Sequence, residues 1–101
     1  MYNNIDKVLE NIHEHFQTLF GEKFEEKRQF RYVDYISENY NFRVHAAFIQ
    51  TRIADDFDVS IQQRIDHALK GLNVEKGAMY DFTTKFVDDA LSTEYCVELI
   101  K

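Results

Sequence analysis

A chain of 101 residues has room for one domain and a single core, with little apolar material to spare. Hydrophobic residues at 45% and aromatics at 15% exclude disorder along most of its length, while a net charge of −6 excludes indiscriminate attraction to nucleic acid. There is no proline and there are only 3 glycines, a scarcity of backbone punctuation that suits long helices joined by short polar turns.

The charge is uneven. Residues 1–22 carry one lysine against four acids and residues 77–101 two lysines against five, whereas residues 23–76 hold nine basic and nine acidic side chains. A DNA-facing centre is thus permitted, not demanded. The single Cys96 excludes an intramolecular disulfide and fits a reducing compartment. No apolar run reaches the ~20 residues of a membrane span, and the start at Met1 does not read as a signal peptide. The expectation is a cytoplasmic protein with no membrane partner.

The first element in chain order is a helix capped by Asn3 or Asn4 and ending at Gly21. Its apolar residues Ile5, Val8, Leu9, Ile12, Phe16, Leu19 and Phe20 recur at helical spacing. His13 and His15 share it but point apart, so they make poor partners for one metal. Residues 22–31 are charged, with Phe24 and Phe30 embedded; Lys27, Arg28 and Arg31 form the densest basic cluster, interleaved with Glu22, Glu25 and Glu26. That mixture reads first as a solvated face, and second as a contact for phosphate or for an acidic partner.

Residues 30–40 allow both a helical and an alternating reading, and residues 42–46 are short and alternating. A hairpin turning at 38–41 is the alternative; the helix is preferred, because an isolated two-stranded ribbon is marginal unless something covers it. Residues 47–72 read as a helical hairpin. Ile49, Ile53 and Phe57 line one helix and Ile61, Ile65, Ala68, Leu69 and Leu72 the next, with a turn at Asp58-Val59-Ser60 and Ser60 and Gln63 as a capping box. Residues 73–77 connect to a C-terminal helix opening near Asp81, with Phe82, Phe86, Val87, Ala90 and Leu91 inward. Ser92-Thr93 caps a final short helix or the C-terminal helix runs on to Ile100, and residues 95–100 are also compatible with an edge strand.

With its pair Ile53-Ala54, the turn, and Val59-Ser60 opening the second helix, the stretch 33–72 resembles the helix-turn-helix of small DNA-binding regulators. On that resemblance Gln62, Gln63 and Arg64 would face base edges, Arg43, Arg52 and Lys70 would hold phosphates, and His67 would share the outward, DNA-binding face. Counted together, these elements predict a mainly α-helical single domain, 1–101, of four or five helices around the hairpin, with minor β content near 30–46 or 95–100.

No catalytic grouping stands out. Asp55-Asp56 and Asp88-Asp89 are neighbours that do not converge on one substrate, no glycine-rich loop cradles a phosphate, and no set of Cys and His has zinc spacing. The expectation is therefore a protein that is not an enzyme, without cofactor or metal. The leading functional expectation is an acidic binding protein that modulates or inhibits a nucleic-acid-handling protein. Its acidic residues Asp6, Glu10, Glu14, Asp81, Asp88, Asp89 and Glu94 would meet a basic partner surface, in places imitating a nucleic acid. In bulk composition it looks like the small, acidic, tyrosine-rich inhibitors of phages and mobile elements. The alternative is a transcriptional regulator reading DNA with the 61–72 helix. In either case the terminal helices could pair across a homodimer.

Overall fold

The computed structural model describes residues 5–50, 57–87 and 92–100. Its elements in chain order are α1 (Ile5–Phe20), β1 (Glu25–Arg28), β2 (Tyr32–Ile36), β3 (Asn41–His45), α2 (Ala46–Gln50), α3 (Phe57–Leu69), β4 (Met79–Val87) and β5 (Ser92–Leu99). The five strands form one sheet in the order β1-β2-β3-β4-β5. Neighbours run antiparallel except β3 and β4, which are parallel, with Phe42 opposite Tyr80 and Val44 opposite Phe82. A parallel pair needs a crossover, and the segment holding α2 and α3 provides it.

This corrects the mainly α expectation. The fold is mixed α/β, and the all-helical reading fails at three places. Residues 30–40, preferred as helix, hold β2; residues 42–46 hold most of β3; and the helix expected from Asp81 onward is β4. The reason lies in the partners. A lone ribbon over 30–46 would be marginal, but β4 and β5 extend it to a five-stranded sheet and α1 covers one face. In β2 and β3 burial alternates residue by residue, with Val33, Tyr35, Phe42 and Val44 inward. The hairpin turn that the alternative reading placed at 38–41 closes at Ser37 and Tyr40, where the Ser37 amide donates to the Tyr40 carbonyl over 2.8 Å.

The first helix forms as its stripe dictates: Val8, Leu9, Ile12 and Phe16 are buried. Its stop is Gly21, which takes a φ of 68° and donates its amide to the Gln17 carbonyl. The buried residues of α1, α2, α3 and the inner sheet face make one core centred on Phe42, whose ring stacks on Phe16 at 4.7 Å between centroids and meets Phe82 edge-on. Within the crossover, residues 58–60, expected as a turn, belong to α3. The Ile53-Ala54 pair lies outside the described residues. Among them, no helix is long and apolar enough to cross a membrane.

Candidate partner-binding surfaces

Three surfaces carry chemistry, and the first is the solvent side of α1. Asp6, Glu10 and Glu14 recur every four residues and all are exposed. They form a row that climbs about 6 Å per carboxylate along the helix axis. Asp6 is engaged: its Oδ1 accepts from Arg28 Nη1 at 2.9 Å, while Arg28 Nε donates to Glu26 at the same distance. Hydrogen bonding to Glu26 first, and to Asp6 second, holds the Arg28 guanidinium still more firmly charged than usual. Glu10 and Glu14 have no ion-pair partner among the described residues. Deeper on the same helix, His13 Nε2 donates to the Phe24 carbonyl oxygen, and His15 Nε2 lies 2.8 Å from Asp66 on α3. Both imidazoles tie the helix to its neighbours.

The second surface is the sheet face turned away from α1, where the register sets charged and polar side chains side by side. Arg43 forks onto Asp34 (Nε to Oδ1 2.9 Å, Nη2 to Oδ2 3.3 Å), and its guanidinium lies 3.8 Å from the centroid of the Tyr32 ring. His45 Nε2 lies 2.8 Å from Asp81 Oδ1 without the alignment of a hydrogen bond. Arg43 stays charged because Asp34 hydrogen-bonds it, an effect that outweighs its partial burial. Arg43 and Asp34 satisfy each other, whereas Asp81 Oδ1 is buried without a hydrogen-bond partner among the described residues.

The third surface is the tip of the β1–β2 hairpin, closed by Gln29 donating its amide to the Tyr32 carbonyl over 2.8 Å. Phe30 projects from it 90% exposed, with the Arg31 guanidinium 5.6 Å from the ring centroid. Beside the tip a cleft of about 190 Å³ opens between the first turns of α1, the hairpin and α2; Ile5, Leu9, Val33 and Ile49 line it.

No family model, curated protein or solved structure matches the chain. The site residues therefore stand on geometry alone.

Of the acidic set expected to face a partner, Asp6, Glu10 and Glu14 share one side of α1, while Asp81 lies on the far sheet face, partly shielded against His45. Asp88 and Asp89 lie outside the described residues, as does the side chain of Glu94. Of the DNA-reading set, Gln63, His67 and Lys70 are exposed on α3 or just beyond its end, and Gln62 is half-buried. Arg64 is turned inward, 3% exposed, with Nη1 donating to the Phe48 and Ile49 carbonyls at 2.8 and 3.0 Å. The outward position expected for it is thus corrected. Arg43 is committed to Asp34, and Arg52 lies outside the described residues.

Sequence reasoning missed Phe30 as a surface feature. The available signal was a lone aromatic between Gln29 and Arg31 in a charged run, where a tight turn leaves a large side chain no core to enter. Among the described residues, no group of three His, Cys, Asp or Glu side chains could hold a metal ion.

Proposed function

We propose that this chain is a small, cytoplasmic, non-catalytic binding protein that modulates or blocks a nucleic-acid-handling partner by presenting carboxylates to its basic surface. The observation that carries the reading is the row Asp6, Glu10, Glu14 on the exposed side of one helix, two of its members without an ion-pair partner among the described residues. Regularly spaced carboxylates on a fixed rod offer a basic cleft the charge pattern of a phosphate backbone, and a net charge of −6 steers such encounters at low salt. The DNA-reading alternative is weaker: Arg64, its guanine reader, serves α2 instead, and Asp66 stands beside Gln63 and His67 on the face meant to approach phosphate.

The test replaces Glu10 and Glu14 by lysine in the full chain and compares capture of basic proteins from host lysate at low and high salt. Capture should be salt-sensitive in the wild type and at least tenfold weaker in the double variant, with an unchanged circular dichroism spectrum. Equal capture by both would refute the reading. Salt-dependent retention of duplex DNA that is lost on Lys70→Ala would favour the regulator instead.

A further inference from the structure

The strand register draws one line of charged residues across the sheet face turned away from α1. Lys27, Asp34, Arg43, Asp81 and Glu98 stand opposite one another in turn, one from each strand. From β1 to β4 their signs alternate, as favourable cross-strand pairs require. The alternation breaks at the last step. Glu98 on β5 stands opposite Asp81 on β4, and like charges directly opposed cost stability. Glu98 is exposed with no ion-pair partner among the described residues, and Asp81 Oδ1 is buried without a hydrogen-bond partner there. The line therefore lacks a cation one strand spacing beyond Glu98, about 4.8 Å further out.

That position is the open edge of the sheet. β5 is its last strand, and among the described residues no strand pairs with its outer side. The Ile100 amide donates inward to the Met79 carbonyl, so antiparallel alternation turns the amides and carbonyls of Val97 and Leu99 outward. The other edge, β1, is protected: it has 4 residues and carries Lys27 and Arg28. β5 has 8 residues, no proline, no basic side chain and no bulge in its pairing with β4. On the face toward the core, Val97 packs against the buried cluster while Leu99, next along that face, is left 59% exposed.

We propose that the outer edge of β5 accepts an extended segment of a partner protein as a sixth strand. The segment places a lysine or arginine opposite Glu98 and an apolar residue beside Leu99. Main-chain hydrogen bonds to Val97 and Leu99 hold it, and its alternating basic and apolar side chains select it. Charge complementarity names this occupant over a second copy. Self-pairing of β5 about a two-fold axis would set Glu98 against Ser92, Glu94, Cys96 or Glu98 itself, none of them a cation. β1 of another copy offers Lys27 on a strand only half as long. The β5 edge goes beyond the partner-binding reading, which uses Glu10 and Glu14, and does not rest on it.

The probe is a synthetic peptide of about the length of β5, alternating lysine and valine, with blocked ends and a fluorescent label. Titrated with the full chain at physiological ionic strength, it should bind by anisotropy, and a glutamate–valine counterpart should not. Glu98→Lys should weaken binding at least tenfold with circular dichroism unchanged. The decisive pair are two peptides N-methylated at alternate residues, one on the valines and one on the lysines. They carry equal charge, but only one side of a strand faces the edge, so one should lose at least tenfold in affinity and the other keep it. At saturation, hydrogen exchange at the Val97 and Leu99 amides should slow at least tenfold. A lysine–valine peptide that does not bind, binding that survives Glu98→Lys, methylated forms that bind alike, or unprotected Val97 and Leu99 amides would each overturn the proposal. So would protection that rises with protein concentration in the absence of peptide, which would assign the edge to a second copy.

Discussion

Arg64 shows how a single residue can look like a reader of DNA and act as structure. From Ile61 onward the buried positions of α3 are Ile61, Arg64 and Ile65, so Arg64 stands one turn after Ile61 on the inward stripe. What makes a cation tolerable there is the end of α2. The Arg64 guanidinium donates from Nη1 to the Phe48 and Ile49 carbonyls of that helix and so ties α3 to α2. Charged hydrogen bonds of this kind contribute about 1.5–3 kcal/mol, so Arg64→Met should lower unfolding free energy by about 2–3 kcal/mol in urea titration. A loss below about 0.5 kcal/mol would contradict a stabilising role for these hydrogen bonds. Tyr35 offers a second residue-scale prediction. Burial first, and the charge of Glu26 second, raise the pKa of its phenol well above the usual value. Below pH ~10 the phenol is neutral folded or unfolded, and stability is intact; above it the unfolded chain ionises first, so stability falls as pH rises. The urea midpoint of the wild type should drop between pH 9 and about 11 more steeply than that of Tyr35→Phe. Parallel pH profiles would place the alkaline limb elsewhere.

At the scale of elements, legibility followed how much each one depends on distant chain. The first helix was readable to within a residue or two because its stripe and its glycine stop are local. β4 was not. In Tyr80-Asp81-Phe82-Thr83 the alternation is plain, yet Phe82, Phe86 and Val87 also fit a helix, and only pairing with β3 and β5 decides between them. The same holds for β2 and β3, which exist because α1 folds over them. The acidic row on α1 was legible for the reason its helix was, whereas the Phe30 knob and its cleft arise from three separate elements and leave no periodic trace. The β2–β3 turn is held from outside as well: Asn39 donates its backbone and side-chain amides to Glu22, and the Gly77 amide donates to the Asn39 carbonyl at 2.8 Å. Hydrogen bonding from the Ser37 hydroxyl first, whose 3.4 Å reach to the Tyr40 carbonyl is long, and from Asn39 second, lowers the Glu22 pKa. A carboxyl depressed on folding stabilises above its unfolded pKa, near 4.5, and that contribution is lost as pH falls through the folded value. Glu22→Gln should therefore have a lower thermal midpoint than the wild type at pH 7, with the gap closing below pH ~4. A gap that persists at pH 3 would show that the carboxylate charge is not what holds the turn.

For the whole molecule, the question is whether the N-terminal helix with its three-stranded meander and the C-terminal hairpin β4–β5 unfold together. They meet at the parallel β3–β4 pair, at the Phe16–Phe82 ring contact and around the Phe42 ring. Phe42 touches Phe16 and Phe20 of α1, Phe24 ahead of β1, Tyr40 in the turn, and Tyr80 and Phe82 of β4. With β3 central in the sheet, loss of the C-terminal hairpin strips Phe42 of Tyr80 and Phe82 and opens the shared core. That argues for a single cooperative transition. Phe42→Ala should cost about 3–5 kcal/mol, a large share of the roughly 5–15 kcal/mol typical of a domain. If the core is one unit, that loss moves the urea midpoint without changing the slope, and far-ultraviolet dichroism and tyrosine fluorescence report the same midpoint in both proteins. If the two parts were separable, the variant would lose one signal first and the slope would fall, because only part of the surface would be exposed in each step. Parallel pairing joins residues far apart in sequence, so folding should also be slow for the chain's length, in milliseconds to seconds, and Phe42→Ala should slow it if the ring organises the transition state.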